Sequence, residues 1–151
     1  MATADQVADY IIRAKHARGE SVTNLELQKL VYYAQAWFLA LYDRALLDEP
    51  FEAWVHGPVQ PDLYQRFKAL GWRPISDIPQ EPTFGQALIP QHLDEVLRVY
   101  GKFTAHQLEM LTHDEEPWRA ARGNLPPDAS SSSTISQESM KQYYKRLSAG
   151  S

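Results

Sequence analysis

A mainly α-helical single domain is what this sequence predicts, with about six or seven helices around one buried helix and one or two short strands in a proline-rich middle. Three observations carry that expectation. Residues 23–43, TNLELQKLVYYAQAWFLALYD, are apolar nearly all round, and a helix without a polar face is buried on several sides. Capping-box spacings, a Ser or Thr followed three residues later by Glu or Gln, recur at Thr3 and Gln6, Thr23 and Glu26, Thr104 and Gln107, and Thr112 and Glu115, and each marks a helix start. Finally, seven of the ten prolines lie between residues 50 and 90, where a long helix would lose about 3 kcal/mol at every internal proline.

In chain order, the first helix is predicted over 4–18, with Val7, Tyr10, Ile11 and Ala14 on one face and Gly19 closing it. Its Arg13, Lys15 and Arg18 read as a solvated basic end that complements the helix dipole. The central helix over 23–43 places Leu27, Leu30, Val31, Ala34, Phe38 and Leu41 on one side and Leu25, Tyr32, Ala36, Leu39 and Ala40 on the other. Its polar interruptions are Glu26, Gln28, Lys29, Gln35 and Asp43. The alternation over 51–55 predicts a short strand, and residues 56–61, HGPVQP, a constrained turn. Pro61 fits the first position of a helix reaching 70, with Gly71 past its end. An irregular stretch over 72–90 follows, with a second short strand expected over 83–89, then helices over 91–100, 105–111 and 113–122. Residues 123–134, with Pro126, Pro127 and four serines, are expected to form a mobile loop. Ser136 then caps a last helix in which Met140, Tyr143, Tyr144 and Leu147 face inward.

Composition narrows the function. The chain has 151 residues, 44% of them hydrophobic, enough for one domain with its own core. It contains no cysteine, which removes disulfides and thiolate chemistry. No basic leader with an apolar stretch opens it, so a cytoplasmic protein without membrane association is expected. A net charge of −4 supplies little drive toward phosphates, and nucleic acid is not an expected partner. The five histidines, His16, His56, His92, His106 and His113, never take the i, i+4 spacing of a helical zinc motif. No nucleophile elbow or phosphate loop is present, and no catalytic, metal-binding or cofactor-binding residue is assigned. The competing enzymatic reading is a small metal-dependent hydrolase using His56 or His113.

Aromatic content points to protein binding instead. Four Trp, eight Tyr and five Phe make up 11% of the chain, and Tyr and Trp anchor interfaces as well as cores. A proline-stiffened turn loses little entropy when a partner docks on it. The candidate partner-binding residues are therefore those of the turn and its flanks: Trp54, His56, Gly57, Pro58, Val59 and Tyr64.

Three stretches carry a family resemblance: residues 27–37, LQKLVYYAQAW; residues 52–59, EAWVHGPV; and residues 111–118, LTHDEEPW. In this order they resemble the Panacea domain of SocA-like antitoxins, also known as phage-associated proteins. The resemblance implies an antitoxin that neutralises a cognate protein toxin by direct binding. It also implies an alternative, an adaptor that delivers the toxin to an ATP-dependent protease. It supplies no catalytic residue, and it leaves Lys29 to pair internally and Trp37 and Trp118 to fill the core.

Overall fold

A computed structural model describes residues 1–150. Its elements are α1 (Ala4–Ala17), α2 (Asn24–Tyr42), β1 (Glu52–Trp54), β2 (Gly57–Val59), α3 (Pro61–Phe67) with a 3₁₀ turn over Lys68–Leu70, α4 (Leu88–Tyr100), α5 (Ala105–His113), α6 (Glu116–Arg122) and α7 (Gln137–Gly150). The mainly helical class is the observed one, seven helices and one antiparallel pair of strands among the described residues.

Helix α2 is the axis. It packs against α1, α3, α4, α5, α7 and β2, and every residue from 27 to 36 is buried. Each large apolar side chain so enclosed contributes roughly 1.5–3 kcal/mol. The capping boxes at Thr3, Thr23 and Thr104 form in both directions, hydroxyl to backbone amide and returning side chain to cap amide. Prolines lead α3 and α6 from within their first two positions, where no intrahelical donor is missed.

Three of the polar interruptions of α2, Gln28, Lys29 and Gln35, are buried too, and each fastens a segment that has no helix of its own. Gln35 accepts from the Leu46 and Leu47 amides at 2.9 and 3.1 Å and donates to the Leu47 carbonyl at 2.7 Å. Gln28 accepts from the Gln60 amide at 2.9 Å, and the Lys29 ammonium donates to the Pro58 carbonyl at 3.3 Å. Side chains of the central helix thus satisfy backbone groups that irregular chain would otherwise bury unpaired.

Several expectations are corrected. No strand forms over 83–89; α4 begins at Leu88, and the partner of β1 is β2, inside the stretch expected to be only a turn. Pro58 is tolerated there because it faces Ala53, whose amide points the other way, to the Ser133 carbonyl at 2.8 Å. That pairing needs no N–H from residue 58. Thr112 does not cap a helix, because α5 runs on to His113 and the Thr112 hydroxyl donates back to the Glu109 carbonyl. Helix α6 starts only at Glu116. Lys15 is not a solvated end: it is buried and donates to the Gly101 carbonyl, the C-terminal pole of α4. Leu41, at 51% exposure, lines an open groove with Trp37, Val96 and Val99 that no described element closes. Leu147 is also exposed, since the last buried residue of α7 is Tyr144.

Residues 123–134 run between α6 and α7 with polar ties at both ends. The Arg122 guanidinium donates to the carbonyls of Ala53, Pro126 and Ala129. Beyond them, Ser133 and Ile135 flank β1, the Ile135 amide donating to the Phe51 carbonyl at 2.8 Å.

Candidate partner-binding site

The β1–β2 hairpin reverses through Val55 and His56 and re-enters at Gly57, whose φ of +109° is open to glycine and strained for other residues. Space imposes the same choice. A Cβ at Gly57 would lie 2.7 Å from Lys29 Cε and 2.9 Å from Thr112 Oγ1. Lys29, Gly57 and Thr112 come one from each of the three sequence stretches, and they meet under the hairpin.

Lys29 is 1% exposed, and burial pushes its ammonium down to about 7, with the Glu109 charge opposing that shift. Glu109 itself reaches the exposed His56, Nδ1 to Oε1 at 3.1 Å. Above this base, the Trp118 indole donates to the Trp54 carbonyl at 2.8 Å, and the His113 ring stacks on Trp118 with centroids 4.0 Å apart. His113 is held below its ordinary value by burial, and its Nε2 is enclosed without a hydrogen-bond partner. It is a packing histidine as placed, and among the described residues no group of three or more His, Asp or Glu could hold a metal ion.

On the outer side lies a mostly apolar groove of about 270 Å³ lined by Leu25, Trp54, Val55, His56, Val59, Tyr64, Ser130 and Ser131. The Trp54 and Tyr64 rings meet edge to face at 5.0 Å, both half-buried. The Trp54 indole donates to Glu52 at 2.8 Å, which fixes the ring. Four of the six candidate residues, Trp54, His56, Val59 and Tyr64, therefore share one surface feature. Gly57 and Pro58 are buried and form the support beneath it, and Val59, though 1% exposed, closes its floor. Sequence reasoning missed Val55, which lies inside the hairpin, and Leu25, Ser130 and Ser131, which are distant in the chain and arrive through α2 and the 123–134 segment.

All three stretches that converge on this support lie within the residues matched by a family comparison. The sequence model described as Antitoxin SocA-like, Panacea domain, matches residues 27–119. The chain belongs to the SocA-like antitoxin family. It is 32% identical over 127 residues to a protein named Antitoxin SocA from Caulobacter vibrioides (strain NA1000 / CB15N), a match covering 76% of this chain and 68% of that relative. No solved structure matches the chain at a significant level. Membership in the SocA-like family supports an antitoxin role, a toxin as partner in general, and a regulatory rather than enzymatic protein. Among the described residues no helix is long and apolar enough to cross a membrane.

Proposed function

We propose that this chain neutralises a protein toxin by binding it directly, with the groove of Trp54, His56, Val59 and Tyr64 as its contact. The observation that supports this most is the support beneath the groove. Lys29, Gly57, Thr112 and Trp118 hold the hairpin from inside, so the aromatic pair is presented in a fixed geometry and little ordering entropy opposes docking. A groove that is apolar, aromatic and free of an assembled set of reactive groups suits an anchor side chain of another protein better than a reacting substrate.

The product of the adjacent reading frame is the partner to test, expressed alone for toxicity and together with this chain for rescue. Trp54→Ala and Tyr64→Ala are expected to weaken rescue and binding at least tenfold, an interface hot-spot effect of about 1.4 kcal/mol or more, while leaving helical circular dichroism intact. Rescue by both variants at wild-type level overturns the contact assignment. The purified pair without any protease separates blockade from the adaptor reading: inhibition at one-to-one stoichiometry is the expected result, and toxin activity that falls only when a protease degrades the toxin overturns blockade.

A further inference from the structure

Trp72 is 83% exposed, the most exposed large hydrophobic residue described, and its ring makes no hydrogen bond and meets no other ring or cation. Its backbone, by contrast, is tied on both sides. The Gly71 amide donates to the Lys68 carbonyl and the Arg73 amide to the Leu70 carbonyl, each at 3.0 Å. The Arg73 guanidinium folds back onto the Leu70 and Ala69 carbonyls at 3.0 and 3.1 Å, and the Ile75 amide is held by the Val22 carbonyl at 2.9 Å. Gly71 adopts φ +59° with ψ −123°, a conformation for glycine alone. The indole therefore stands on a rigid tip that the fold does not use, the presentation that lets a tryptophan serve as an interface anchor.

The tip segment itself carries only positive charge, between Asp62 and Asp77 in the chain. Residues 63–76 contain Arg66, Lys68 and Arg73 and no carboxylate, in a chain of net charge −4. Arg66 is engaged with Asp5 and Asp9, whereas Lys68 is exposed and its ammonium is unengaged. Tyr64, in the groove, and Trp72 stand toward opposite ends of α3 and its 3₁₀ extension.

We propose that Trp72 anchors a second contact with the toxin, entering an apolar pocket on that protein whose rim carries carboxylates facing Lys68 and Arg73. This inference rests on the toxin-binding reading above. The contact would then be two-pronged, a partner side chain received by the Trp54–Tyr64 groove and an indole delivered from the tip.

The test measures affinity for the purified product of the adjacent reading frame. Trp72→Ala is expected to lose about 30-fold or more in affinity with thermal midpoint and circular dichroism unchanged, since the side chain is 83% exposed. Trp72→Phe should retain most of the binding, and Lys68→Glu should weaken it severalfold and flatten its salt dependence. Complex formation should shift tryptophan emission to the blue in the wild type and less in Trp72→Phe. If the wild type fails to bind this product, the toxin-binding reading falls and takes the inference with it. If the wild type binds and Trp72→Ala binds within twofold of it, only the inference falls. If the chain alone self-associates and Trp72→Ala abolishes that, the occupant is a second copy and the proposal is overturned.

Discussion

A lysine ammonium in water loses its proton near pH 10.5, and Lys29, enclosed beneath the hairpin, is pushed down to about 7. Each pH unit of that lowering corresponds to about 1.4 kcal/mol, so the folded state tolerates the charge at a cost of several kcal/mol. The sign follows from proton counting. Below pH 7 both states bind the proton and the cost is fully felt; between 7 and 10.5 the unfolded state binds more protons, so stability rises with pH. Relative to Lys29→Met, the wild type should therefore gain several kcal/mol between pH 6.5 and 10, measured by urea unfolding at a series of pH values. A flat difference across that range would mean Lys29 keeps its proton in the fold. Glu115 is the corresponding acid. Burial holds its carboxyl above the ordinary value, and its Oε1 accepts from the hydroxyls of Tyr33 and Tyr144, both at 2.7 Å. Glu115→Ala leaves the buried Tyr33 phenol unpaired and Tyr144 with only the Tyr32 hydroxyl at 3.3 Å, and should cost about 1–3 kcal/mol, read from thermal or denaturant unfolding.

At the scale of the element, the hairpin concentrates the difference between what was legible and what was not. Its first strand shows in the alternation of Phe51, Ala53 and Val55, but its second is hidden by Pro58, which reads as a break unless the outward direction of the Ala53 amide is known. Gly57→Ala should destabilise the domain by about 2–4 kcal/mol through backbone strain and the forced shift of Lys29 and Thr112, and weaken toxin rescue through the displaced Trp54; an unchanged melting curve would show that the tip adapts freely. Helix starts divide the same way. Thr3, Thr23 and Thr104 were readable because a capping box is wholly local. Thr112 and Glu115 carry the same spacing, yet a hydrogen-bonded site between α2 and α7 claims the carboxylate, and no local pattern records that competition.

For the molecule as a whole, α7 completes the enclosure of α2. Tyr144 meets Tyr32, Tyr33 and Trp37, and Met140 and Tyr144 are fully buried. A chain ending at residue 135 should lose its cooperative thermal transition, because the exposed tyrosines and a buried Glu115 left with Tyr33 as its one phenol partner leave the centre without one of its walls; a sharp transition near the wild-type midpoint would make α7 dispensable. The central helix, the class of the fold and most helix positions were determined by the sequence alone, since periodicity, capping and proline placement act within a few residues. What tertiary structure decided were the fates of individual residues: that Gln28, Lys29 and Gln35 turn inward to hold loops, that Lys15 closes α1 on α4, and that Gly57 and Pro58 are buried beneath the groove. Those outcomes depend on which distant backbone group needs a hydrogen bond once water is gone, and that is settled only when the chain is packed.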